Sequence, residues 1–525
     1  MATRTSTRAR AAFDLAAYSA EVETFLSELL EAYYLNWSGQ RDEMVLEPIY
    51  ARHPDLFTRK AVDARRRAAD GDGDPAQQAR LLHAFALQSY LDSGTVDLTE
   101  QIETVEAQAV VIWRGERLPY RALPIRVAEI ADRGERNALY AAYLEAVELI
   151  NPLREERLAR GHELAGELGY ESYVDLAKAV RDFDPQELAT ELQAFLAESE
   201  TVYFAALRRY LALIDIEQGD ASYADLGHLL RGSSWDAWFN SRRMVTVLRA
   251  TLAGLGIDLE AQSNVTLDVE PRPHKSPRAF CAAIRAPGDV RLSVQPRGGW
   301  DDFGAILHEA GHLEHYAHVD PELPAAYRLL GDPSVTEGYA ALLEFLLVEP
   351  KWLDEHTSMN EDQILGFGDF TAFWRLYMVR RYIAKLLYEL RLHSGGETAL
   401  NRAYYAGLLS LLTGVSYSES QYVADLDDHL YAAAYLRSWL FEASLSAALK
   451  RHHGEAWWHD PAAGETLRRA WSRGQEWKAE DVVAHLGYDR LDWRPVLRQI
   501  RTRLIGEMSG YGGPNITTRA GTRKV

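Results

Sequence analysis

The feature that most constrains this chain is a hydrophobic period of 3.6 residues. It runs from residue 11 to about 249 and returns from residue 300 to about 504. Stretches such as 25–35, 188–213 and 235–255 repeat apolar residues at three- and four-residue steps, which predicts amphipathic helices. No self-similar repeat is visible, which excludes a regular solenoid. The period lapses between Gln262 and Gly299. There 265–269 alternates, 280–284 is a short apolar run and 290–294 alternates again, with prolines and glycines between them. The expected fold class is therefore mainly α, with one small β-sheet.

Punctuation suggests the organisation. Gly232-Ser233-Ser234 marks a boundary between an N-terminal helical lobe (13–232) and a second lobe (233–508) that holds the sheet at 262–297. Residues 1–12 and 509–525 read as disordered tails. The acidic stretch Asp70-Gly71-Asp72-Gly73-Asp74-Pro75 looks like a calcium loop, but Pro75 stands where glycine is needed and Leu81 where the closing glutamate belongs. A solvated turn is expected there.

Of 525 residues 47% are hydrophobic, enough for a large core. The net charge of −20 disfavours nucleic-acid and anionic-membrane partners. No run approaches the ~18 apolar residues of a membrane span. The single cysteine, Cys281, forbids an intrachain disulfide and fits a reducing compartment. An Arg-rich start without an apolar stretch is no secretory signal, and a transit peptide is the weaker alternative to a cytoplasmic protein.

Directly after the sheet region lies His308-Glu309-Ala310-Gly311-His312, in a stretch from Trp300 to His318 that reads as a helix with Asp301 and Asp302 near its start. Histidines four apart on a helix share a face and can grip one ion. Glu309, about 100° away from His308, can act on the water that the ion activates. With 16 histidines in the chain, chance supplies such a pattern only about 0.04 times.

A catalytic zinc needs a third ligand. His318 has the metzincin spacing, but that pattern needs glycine where this chain has His315. On an unbroken helix His318 lies about 15 Å along from His308 and turned away from it. His315 shares the histidine face two turns along, where it would border the site or support a ligand. The other candidate is Glu337, opening a helix expected over 336–347. Glu344, two turns further on, is placed to accept the outer N–H of a ligand histidine.

The His308–His312 motif, Glu337 twenty-five residues after it and Glu344 beyond resemble the gluzincin oligopeptidases. These are the thimet oligopeptidase and oligoendopeptidase F type and, more distantly, angiotensin-converting enzyme. Asp428-His429-Leu430-Tyr431-Ala432-Ala433-Ala434-Tyr435 is similar to their downstream His-x-Tyr-x-x-x-Tyr stretch. The chain departs from them in carrying alanines between the histidine and the tyrosine, and Arg437 and Trp439 after Tyr435. The resemblance implies a two-lobed helical shell around a deep central cleft. It also implies one zinc ion held by His308, His312 and Glu337, and Glu309 as general base. His429 and Tyr435, with Tyr431 as the second choice of tyrosine, would stabilise the oxyanion. Short oligopeptides are the implied substrates.

Two smaller expectations complete the reading. The strand at 290–295 is a candidate sheet edge for pairing with an extended peptide, and Cys281 reads as a small buried side chain. A non-catalytic peptide-binding protein that retains the peptidase fold is the alternative function. The sequence carries no signal for oligomeric state.

Overall fold

Helices make up most of the chain in a computed structural model, which describes residues 15–41, 43–394, 398–488 and 490–506. It contains twenty α-helices and five short strands among those residues. The predicted tails at 1–12 and 509–525 lie outside the described residues. The helices that bear on the site are labelled here in chain order. They are α1 (Leu15–Trp37), α2 (Asp74–Gln108), α3 (Arg133–Glu167), α4 (Tyr173–Arg181), α5 (Trp300–Ala317), α6 (Pro333–Glu344), α7 (Glu361–His393), α8 (Tyr431–His453) and α9 (Arg494–Gly506).

Local chemistry sets their ends. Ser172 caps α4 by accepting the Asp175 N–H. Asp332 caps α6 through the Ser334 N–H, and Pro333 takes the first helical position, where its missing N–H costs nothing. That cap starts α6 three residues before the expected 336, so Glu337 stands a full turn inside the helix. The acidic 70–75 stretch is the turn that leads into α2.

Two strands escape the periodic reading. β1 (Val110–Trp113) and β2 (Glu116–Pro119) form a hairpin. Arg114 and Gly115 both have positive φ, 51° and 84°, as a two-residue primed turn requires. An arginine in place of the usual Asn or Asp conceals the turn. The predicted sheet is present as β3 (Val265–Asp268), β4 (Phe280–Arg285) and β5 (Asp289–Ser293), in the order β3-β5-β4. β3 runs parallel to β5 and β4 antiparallel to it. The 290–294 segment is therefore the central strand rather than an edge. Its last-in-sequence position conceals that it inserts between the two earlier strands. β4 is the outer strand on the side of α1, whose Tyr34 and Trp37 rings meet Phe280 edge-on.

The largest contiguous core runs from Leu188 to Leu504 and encloses Trp352, Trp457, Trp458 and Trp471. Gly232 sits inside this packing, so close to Phe370 and Trp300 that a side chain would overlap them. Among the described residues no helix is long and apolar enough to cross a membrane.

Candidate metal centre

Three helices build the site by close approach. A Cβ on Gly311 would come within 2.5 Å of the Ala340 Cα and the Tyr339 carbonyl oxygen, so only glycine lets α6 lie directly on α5. Gly338 does the same for α6 against α8, where a side chain would overlap the Phe441 ring. Glycine between the two motif histidines thus fixes how near Glu337 comes to them. Gly311→Val is expected to push α6 outward and lower metal affinity at least tenfold while the protein stays helical. Metal titration alongside circular dichroism checks this.

The resulting cluster is compact. His308, His312 and Glu337 each place one ligand atom within 4.8 Å of the others, and theirs is the group of this kind found among the described residues. His308 Nε2 is 3.5 Å and His312 Nε2 3.9 Å from Glu337 Oε2. A tetrahedral ion bonded at about 2.0–2.1 Å needs its ligand atoms about 3.4 Å apart, so small rotations complete the fit. The outer ring nitrogens are occupied as ligand histidines require. His308 Nδ1 is 2.9 Å from Glu344 Oε2, and His312 Nδ1 is 2.8 Å from Thr336 Oγ1. These bonds hold both Nε2 atoms toward Glu337. Glu344 thus stands where the sequence places it. Thr336 was missed, because a threonine next to a glutamate carries no periodic signal.

Charge fits a cation as well. Burial works against an ionised Glu337, but His308, His312 and Tyr431 outweigh it and hold the carboxyl below its ordinary range. Burial pushes His312 down to about 4, which keeps its ring neutral and able to ligate. Burial pushes Glu309 up to about 7, and its carboxylate is anchored by the Cys281 N–H of β4 at 2.8 Å. The small sheet therefore positions the expected base, and Cys281 contributes its backbone as well as a buried thiol.

The other expected residues fall into two groups. Tyr431 donates its hydroxyl to Glu337 Oε1 at 2.9 Å. Tyr435, one turn on along α8, packs edge-on against the rings of Tyr431 and Tyr382, and its hydroxyl has no hydrogen-bond partner among the described residues. His429 stands apart from the cluster. It is buried, with Nδ1 3.3 Å from the Tyr173 hydroxyl and Nε2 3.7 Å from Asp92 Oδ1. His429 and Leu430 both have left-handed backbone, φ 53° and 55°, a conformation that must be held from outside. Arg181 holds it, donating to the His429 and Asp428 carbonyls at 2.8 and 3.0 Å with its guanidinium over the Tyr431 ring. Arg157 grips the Asp428 carboxylate with two bonds of 2.8 Å. No spacing in the sequence announces either arginine.

His318 closes α5, with Nδ1 on the Glu314 carbonyl, and takes no part in the cluster. His315 is fully buried, with Nε2 toward the Gly474 carbonyl.

Fold and site together define a mainly α protein with a built two-histidine, one-carboxylate group that could hold a metal ion. No family model matches the chain, and no curated protein matches it.

Proposed function

We propose that the chain is a zinc-dependent peptidase acting on short peptides, with His308, His312 and Glu337 as the ligands. The observation that carries this reading is the convergence of the two Nε2 atoms and Glu337 Oε2, each histidine oriented by its own outer partner. Two nitrogens and one carboxylate are a donor set typical of catalytic zinc. Zinc, when bound, supplies Lewis acidity that acidifies water and polarises a carbonyl. Glu309 takes the proton of the attacking water and delivers it to the departing amine. The Cys281 N–H keeps its carboxylate aimed during both transfers.

The hydroxyls of Tyr435 and Tyr431 are the donors available to the oxygen that gains charge as the bond to carbon forms. Tyr435 is the stronger candidate because Tyr431 is engaged by Glu337. His429, engaged with Tyr173, acts in this arrangement by holding the turn that leads into Tyr431. The ligand side chains are at most a quarter exposed, a recessed position that supports a flexible peptide as the substrate.

Removal of metal with a chelator is expected to abolish cleavage of quenched fluorogenic peptides, and one equivalent of zinc to restore it. Zinc-loaded protein that cuts nothing in a broad peptide library would favour the non-catalytic peptide-binding alternative. Cleavage indifferent to chelation would remove the metal from the reaction.

A further inference from the structure

A cavity of about 1100 Å³ opens toward the other end of α8 from Tyr431, between that helix, α7, α9 and the 345–351 segment. Glu442, the α8 residue on its wall nearest the metal centre, is about 16 Å along the helix from Tyr431. The wall carries six basic and three acidic side chains in a chain whose net charge is −20.

The acids are already matched. Glu442 pairs with Arg375 at 2.5 Å, and Glu349 and Glu455 lie 2.6 and 3.9 Å from Lys450. Lys351, Arg451, Arg498 and Arg503 have no carboxylate partner among the described residues. Arg451 and Arg503 donate instead to the Leu486 and Val348 carbonyls.

We infer that this cavity binds a small phosphorylated organic anion. The surplus is of positive charge, which calls for a negatively charged ligand with oxygens that accept from guanidinium and ammonium groups. Four cations spread around the wall match several phosphate oxygens better than one carboxylate. Leu365, Val348 and Ile500 provide apolar surface for an organic body, and the volume accommodates a molecule the size of a nucleotide.

The test uses the full-length, metal-loaded protein, with ATP and inorganic tripolyphosphate as probes in equilibrium dialysis at physiological ionic strength. Saturable 1:1 binding is expected for ATP. Lys351→Glu/Arg498→Glu, which changes two exposed side chains that make no ion pair, should weaken it at least tenfold. Arg117→Glu/Arg242→Glu makes the same charge change outside the cavity and should alter binding less than twofold. Tighter binding of ATP than of tripolyphosphate assigns part of the affinity to the apolar wall and supports the inference; equal or weaker binding assigns it to phosphate alone and overturns the organic part of it. Withdrawal of metal by these probes would affect wild type and variants alike, so the comparison isolates the cavity. No saturable binding by wild type, or equal weakening by both pairs of substitutions, overturns the inference.

Discussion

Glu309→Gln is expected to lower peptide turnover by about 10²–10⁴-fold, the range for loss of a positioned general base. Metal content and thermal midpoint should stay at their wild-type values. Glutamine keeps the shape of the side chain, and its amide oxygen can still accept the Cys281 N–H that anchors the carboxylate now. It cannot take a proton. The zinc ligands are other residues, so the ion should remain. Parallel assays of peptide cleavage and of zinc per chain check both halves. Turnover that survives the change would remove Glu309 from the reaction, whatever the metal does.

The second large effect is on stability. Arg437 on α8 reaches Asp332, the cap of α6, with Nη2 2.7 Å from the carboxylate, and it donates to Ser334 Oγ through Nε at 3.2 Å. Both side chains are almost fully buried. Arg437→Leu would leave a buried carboxylate with its cation gone, a change that costs about 3–5 kcal/mol. Because Asp332 starts the helix that carries Glu337, metal affinity should fall as well. Chemical denaturation and metal titration of the variant measure the two effects.

The same pair makes wild-type stability acid-sensitive. Burial alone would raise the Asp332 carboxyl, but Arg437 and the Ser334 groups outweigh it and hold it below its ordinary value. A depressed carboxyl contributes fully above its unfolded value, about pH 3.9, and its contribution fades as pH falls through the lower folded value. Arg437→Leu should remove that part of the acid dependence.

Particular residues show how far the sequence could be read. The helical class and the three-stranded sheet follow from period, because core-facing positions recur every 3.6 residues in one and every two in the other. His308, His312, Glu337 and Glu344 were legible because they share a face of one helix or stand a whole number of turns apart on the next. Their convergence depends on Gly311 and Gly338, whose importance appears only once three helices are stacked. Thr336 meets His312 across two helices, and Arg181 and Arg157 hold the turn at Asp428–Leu430, through tertiary packing that no local spacing marks.

Arg437, which the sequence shows only as a departure from the oligopeptidase pattern, clamps the cap of α6. The β1–β2 hairpin was hidden by Arg114 in a turn position that usually carries Asn or Asp. The central place of β5 was hidden because alternation reports which faces are buried and says nothing about neighbours within the sheet.

Zinc titration against a chromophoric chelator, run on wild type and on His308→Ala, His312→Ala, Glu337→Ala and His318→Ala, tests the central claim most directly. The account predicts one tightly held ion per wild-type chain, its loss in each of the first three variants and its retention in His318→Ala. An ion held as firmly by Glu337→Ala as by wild type, or released only when His318 is changed, would contradict it.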